Sequence, residues 1–173
     1  MKKLITIILL YSISNSYAQE KKFSINTNLA NLAAKGPSVS LEYQLSNKWS
    51  IQGYLSKGEI NVLNNYNYKT AIIDFKRKLD SQLYTSTYIR YIEKEIYRPS
   101  FGNNVFTLDP GRDFKGKGIS AGQILGYKYF PNKVYNLDLF AGIGYGGFIE
   151  QSGDKNKSGF LDLRIGILTG FKF

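Results

Sequence analysis

The amino-acid sequence predicts an all-β chain: an eight-stranded antiparallel transmembrane β-barrel with short periplasmic turns and longer extracellular loops. Three observations carry this. Residues 159–173, GFLDLRIGILTGFKF, place Leu161, Leu163, Ile165, Ile167, Phe171 and Phe173 on one face and Asp162, Arg164, Gly166, Gly170 and Lys172 on the other. A period of two over that length describes a strand between an apolar and a polar environment. Eight such segments occur, joined by connections that alternate short and long, the asymmetry of a transmembrane barrel. The chain is also rich in Tyr, Phe and Gly and poor in Pro and Met, a composition that favours strands over helices.

The chain opens with a segment of a different kind. Lys2 and Lys3 precede the apolar run Leu4 to Tyr11, and Ser16-Tyr17-Ala18 supplies small residues before Gln19. A basic start, a short apolar core and small residues before a cut describe a secretory signal peptide, here residues 1–18 with cleavage after Ala18. Residues 19–173 then form a single barrel domain.

The segments run over 22–30, 37–46, 48–58, 68–79, 82–93, 117–130, 134–148 and 159–173. The second and third meet at Asn47, the fourth and fifth at Asp80-Ser81, the sixth and seventh at Pro131-Asn132-Lys133, all turn-forming residues. The longer connections are 31–36, 59–67, 94–116 and 149–158. An even count places both ends of the barrel domain on the short-turn side. Outward positions such as Ile25, Leu41, Leu55, Ile73, Ile89, Ile119, Leu139 and Ile143 are apolar. The aromatics Phe23, Tyr43, Trp49, Tyr129, Tyr135, Phe171 and Phe173 gather at the short-turn ends, where an interfacial girdle belongs. Phe171 and Phe173 also fit the assembly signal that outer-membrane barrels carry on their last strand. Two positions fit the alternation badly. Gln123 falls on the outer face unless a bulge near Gly122 shifts the register, and Arg77 points outward close enough to the short-turn end to snorkel. The stretch Ala71 to Leu79 also tolerates a helical reading.

The inward face carries Glu42, Asp74, Lys76, Arg90, Lys128, Asp138, Asp162, Arg164 and Lys172, nearly balanced in sign. An unpaired charge in a narrow lumen costs several kcal/mol, so the first eight are expected to form an internal ion-pair network centred on Arg164 and Arg90. Gly142, Gly144 and Gly146 share that inward parity. No strand-to-helix transition follows them, so they read as space for Tyr54, Tyr84, Tyr88 and Phe140 and not as a phosphate loop. An eight-stranded interior is filled by side chains, which argues against free diffusion of solutes.

Several functional classes are disfavoured. The chain has no histidine and no cysteine, which removes the His-based constellations of barrel hydrolases and acyltransferases, thiolate metal sites, disulfides and lipidation. Asp138 and Asp162 could form a carboxylate pair, but inward Arg164 reads as their structural counter-ion. No catalytic residue, cofactor or metal is assigned; Asp109 and Asp113 lack the spacing of a calcium loop. Removing Lys2 and Lys3 lowers the formal charge from +10 to +8. That excess favours anionic neighbours such as lipid phosphates, while nucleic acid does not suit an exported chain. The connection Lys94 to Gly116 mixes turn residues with aromatics, and Arg98, Phe101, Phe106, Arg112 and Lys115 form the candidate surface-contact loop.

The stretches KFSINTNLANL, PSVSLEYQLSNKWSIQGYLSKG, TYIRYIEK and GFLDLRIGILTGFKF resemble an uncharacterised group of small outer-membrane barrels within the OmpA/OmpX-like eight-stranded superfamily. The resemblance implies an integral barrel with no established reaction and no functional residues to carry over. The expected role is a non-enzymatic barrel of the outer membrane of a Gram-negative bacterium, monomeric, structural or surface-interacting, touching lipid and lipopolysaccharide and meeting the barrel-assembly machinery during biogenesis. A narrow conduit or pocket for small hydrophobic molecules, as in OmpW-like barrels, is the alternative, motivated by inward Ile72, Ile124, Phe130, Phe140 and Leu168. A lipid-modifying membrane enzyme is a third reading, and a soluble lipocalin-like barrel is the rival at the level of fold.

Overall fold

Strict alternation leaves each strand with one face that packs and one that does not, and closing the sheet on itself gives every packing face the same interior. The computed structural model describes residues 22–60, 65–97, 113–130, 134–152 and 159–173. Its strands are β1 (Phe23–Asn28), β2 (Ser38–Gln44), β3 (Trp49–Ile60), β4 (Asn65–Lys78), β5 (Leu83–Tyr97), β6 (Phe114–Tyr129), β7 (Tyr135–Ser152) and β8 (Gly159–Lys172), with one short helix, α1 (Ala30–Ala33). Each strand pairs antiparallel with the next and β8 returns to β1, closing the barrel. The eight-stranded antiparallel barrel expected from the sequence is therefore the architecture observed. The segment 1–18, the turn 131–133 and most of the proposed contact loop lie outside the described residues.

Even-numbered positions of β1 to β6 face the lumen and odd-numbered ones face out. Leu41, Leu55, Ile73, Ile89, Ile119 and Leu125 are exposed, whereas Glu42, Tyr54, Ile72, Asp74, Tyr88 and Ile124 are buried. The interior core joins Tyr54, Ile72, Tyr84, Tyr88, Ile124, Phe140 and Leu168. On the outside, Phe23 meets Tyr43 at 4.6 Å and Tyr135 meets Phe171 at 5.8 Å between ring centroids, both near the short-turn end. Arg77 keeps its outward position there and lies over the Trp49 ring at 5.7 Å.

The strand drawn over 68–79 stands, while its helical alternative and several finer expectations need correction. Residues 71–78 are extended throughout β4 and not helical, because their cross-strand partners on β3 and β5 supply ladder bonds along the whole stretch. No bulge occurs near Gly122. Gln123 stays on the outer face, and its amide donates to Thr87 Oγ1 at 2.8 Å, so the polar group is satisfied without a register change. The irregularity lies where Gly118 pairs with Phe148 but Lys117 pairs with Glu150, leaving Ile149 as the extra residue. That shift turns Glu150 outward to meet Lys117 at 2.6 Å.

The connection drawn over 94–116 is shorter than expected, since β5 runs to Tyr97 and β6 starts at Phe114. Lys115 is thus a strand residue and not a loop residue: it pairs across the ladder with Glu95 and forms an ion pair with it. Finally, the connection after β1 contains α1, a single turn too short for helical periodicity to reveal. Phe130, expected inward, is 38 % exposed at the short-turn rim.

Candidate functional site

The lumen divides into two halves of different character. In the half nearest the short turns, Lys76 reaches Glu42 at 3.1 Å and Asp138 at 2.9 Å. Lys128 adds a second cation to Glu42 at 2.7 Å, and the Tyr84 hydroxyl donates to Asp138 at 2.7 Å. The Lys76 ammonium also lies 4.7 Å from the centre of the Tyr84 ring. Gly126, opposite Tyr84 on β6, is required here because a Cβ would collide with the tyrosine ring. Two cations against two carboxylates, with a phenol bridging them, leave no net charge and little space.

Above this layer, Arg164 on β8 donates to both oxygens of Asp74 on β4, at 2.7 and 3.3 Å, across the barrel. Its guanidinium lies 4.5 Å from the centre of the Tyr88 ring. Arg90 pairs with Asp162 at 2.5 Å and donates to Thr70 Oγ1 at 2.9 Å. Asp162 further accepts from Ser120 at 2.5 Å and Tyr88 at 3.0 Å. All eight residues singled out for the lumen are thus brought into ion pairs. They form two arginine-carboxylate pairs and a separate lysine-centred cluster in place of one network about Arg164 and Arg90. The clustering follows height: Glu42, Lys76, Lys128 and Asp138 share the level of the short turns.

Beyond Arg90 and Arg164 the lumen opens into a cavity of about 350 Å³ lined by polar and aromatic side chains, among them Asn28, Tyr66, Tyr68, Lys94 and Phe160. The connection after β1 forms part of its wall. Asn31 of α1 donates to the carbonyls of Gly36, Pro37 and Lys57, and the Tyr68 hydroxyl bonds its side-chain oxygen. Lys35 takes a left-handed conformation at φ 48°, and Gly36 follows where a Cβ would strike the Lys57 carbonyl. These features clamp the loop against β3. The sequence reading did not single out Asn31, Tyr66, Tyr68 or Phe160; even parity at 66, 68 and 160 was the available signal for the last three.

On the outer wall, a shallow groove of about 520 Å³ includes Val39, Leu55, Ala71 and Tyr91, with Lys57, Lys69 and Glu93 at its upper end. Lys57 and Lys69 stand directly opposite on β3 and β4, and Glu93 on β5 stands directly opposite Lys69, so one carboxylate faces the two cations. Of the proposed contact-loop residues, Arg98, Phe101, Phe106 and Arg112 lie outside the described residues. Phe171 and Phe173 face outward at the short-turn end, and the Phe173 amide donates to the Phe23 carbonyl at 2.7 Å. Among the described residues, no group of three or more potential metal-ligating side chains is assembled.

Closed topology, an apolar exterior and an ion-paired interior define the class: a small eight-stranded antiparallel β-barrel. More particularly, residues 4–157 match the family described as "Protein of unknown function (DUF3575)", and the chain belongs to that family. No curated protein and no solved structure matches the chain.

Proposed function

We propose that the protein is an integral barrel of the Gram-negative outer membrane, of OmpA/OmpX-like kind, exported with a cleaved signal peptide and acting without catalysis in a structural or surface-interaction role. The observation that carries this reading is the contrast between the two faces of one closed wall. Leu41, Leu55, Ile73, Ile89, Ile119, Leu125, Leu163 and Ile165 expose apolar side chains around the ring while charged side chains are paired inside. A protein in water gains nothing by that inversion; one in lipid requires it. The short-turn end then faces the periplasm and the long-loop end faces outside. The outward pair Phe171 and Phe173 suits recognition by the barrel-assembly machinery, and the closed ring suits a monomer.

Lipopolysaccharide is the proposed neighbour on the outer wall. Lys57 and Lys69 supply cations above the apolar groove of Val39, Leu55 and Ala71, an arrangement suited to a phosphate over acyl chains. A binding pocket is the second reading, favoured by the cavity beyond Arg90. A through-conduit is less well supported, because Ile72, Ile124, Phe140 and Leu168 pack into the tyrosine core below that cavity. Fractionation of the native host with gel migration of heated and unheated samples tests the main reading. Recovery in the outer membrane with a heat-dependent mobility shift is the expected result; recovery as a soluble periplasmic protein would overturn it.

A further inference from the structure

The cavity beyond Arg90 holds its charges in cancelled pairs and keeps hydrogen-bonding capacity in reserve. Arg90 is paired with Asp162 and Arg164 with Asp74, so both guanidinium charges are offset where they stand. Lys94, the other cation of the lining, is committed too, with its ammonium 4.8 Å from the centre of the Phe148 ring and 4.4 Å from that of Phe160. The lining is therefore poorly suited to an anion. Donors remain, however. A guanidinium carries five N–H groups in a fixed fork. Arg90 uses Nε on Thr70 and Nη1 on Asp162, which leaves Nη2 without a partner among the described residues. The hydroxyl of half-buried Tyr66 likewise has no hydrogen-bond partner among them. Both residues line the cavity.

The apolar part of the lining is largely aromatic and comes from opposite walls. Tyr66 on β4 stacks with Tyr68, ring centroids 5.9 Å apart, and Phe160 stands on β8, four strands away in the ring of eight. Tyr54, Ile72 and Phe140 of the core form the floor. Aromatic walls with charge-balanced donors beside them suit a molecule that is apolar on its faces and polar at its edge. A pyranose is built in this way. Its axial C–H groups lie against the negative face of an aromatic ring, and its rim of hydroxyl oxygens accepts from fixed N–H and O–H groups. The volume, about 350 Å³, is at the small end for ligand sites and suits one sugar ring. We propose that the cavity binds a single neutral sugar residue, stacked on the aromatic lining and held by Arg90 Nη2 and the Tyr66 hydroxyl, either as a free monosaccharide or as the end of a glycan. This rests on the binding-pocket reading and names the ligand class of that pocket.

The test uses the full barrel in an amine-oxide detergent, which has no sugar headgroup to compete, with isotope-labelled isoleucine methyl groups read by NMR. Ile72 and Ile92 line the cavity, whereas Ile89 and Ile119 face out. Methyl glycosides of glucose, galactose, mannose and N-acetylglucosamine are titrated in turn. At least one should shift the Ile72 and Ile92 resonances saturably and leave Ile89 and Ile119 in place. The trisaccharide of that sugar keeps the shifts if the site takes the end of a glycan and loses them if it takes the free sugar alone. Tyr66→Ala should weaken binding about tenfold, the loss of one ring contact and one hydrogen bond, with heat-dependent mobility unchanged. Tighter binding of glucose 6-phosphate than of the neutral sugars would overturn the proposal, as would sugar shifts spread equally over the outward isoleucines. Benzyl alcohol separates the proposal from the reading beneath it. Cavity shifts with benzyl alcohol and none with the four glycosides leave the pocket standing and remove the sugar; no cavity shift with any probe removes both.

Discussion

The two halves of the lumen use the same kinds of residue to opposite effect. At the short-turn end Lys76, Lys128, Glu42, Asp138 and Tyr84 fill the cross-section with mutual contacts. At the long-loop end Arg90 and Arg164 also have carboxylate partners, yet they border a cavity, and among the described residues one edge of β8 beside them has no strand partner above Leu168. The difference originates in strand length. β1 has 6 residues where β7 has 18, so among the described residues the ladder is continuous low down and stops beside β8 higher up. Pairing of charges is therefore not what closes a barrel; continuity of the ladder and the packing of Tyr84 and Tyr88 do that. A sealed end and a hollow end follow from one short strand.

The largest expected effect tests the sealed end. Lys76→Met leaves Glu42 and Asp138 with only Lys128 to offset them, beside a cavity of only about 40 Å³. Breaking such a buried arrangement from one side should cost about 3–5 kcal/mol. Urea unfolding of the folded barrel, followed by gel mobility, measures it. A cost no larger than that of Arg90→Gln would erase the distinction between the halves.

Gly126→Ala probes the same end by volume and not by charge. The added methyl meets the Tyr84 ring, which is held by its hydroxyl bond to Asp138 and cannot swing away without losing it. Overpacking of this kind costs about 1–3 kcal/mol. Unchanged unfolding would mean that the tyrosine layer is loose and that the end is not sealed.

How much of this was legible beforehand follows from period two. Parity alone separates Asp74, Lys76 and Asp138 from Ile73, Phe75 and Leu139, so the closed sheet, its faces and the lumen residues could all be read from sequence. Partner choice could not, because parity carries no height. Lys76 is 62 positions from Asp138, and only the register of the intervening strands brings them level. The cavity was harder still. It depends on β1 stopping at Asn28 and on Asn31 tying the next turn to Lys57, and neither leaves a periodic trace. The displaced bulge has the same origin: Gly147, Phe148 and Ile149 alternate poorly, and the pairing of Glu150 with Lys117 decides where the extra residue sits.

Arg90→Gln addresses the hollow end. The substitution removes the ion pair to Asp162 but leaves that carboxylate with Ser120 and Tyr88, and the cavity gives it access to water. Loss of about 1–2 kcal/mol, in the range of a single charged hydrogen bond, is the expectation from the same unfolding measurement. A loss equal to that of Lys76→Met would show the cavity to be dry, and the two ends to be energetically alike.

The smallest effect is expected on the rim, where the pairing is across the ladder and in contact with solvent. Hydrogen bonds from Lys115 and then Tyr97 hold the Glu95 carboxyl below the usual carboxylate range. Stability from a lowered carboxylate is present above its unfolded value and is lost as the pH falls through the folded one. Lys115 is 63 % exposed, however, and screened surface pairs of this kind commonly contribute nothing measurable. Lys115→Ala should therefore leave the unfolding midpoint in urea unchanged at neutral pH, with the wild-type and variant profiles superimposing as the pH is lowered through the carboxylate range. A midpoint that drops at neutral pH and converges with wild type on acidification would place real stability in the strand extensions at the long-loop rim, and the hollow end would then be held by its rim as well as by Arg90 and Arg164.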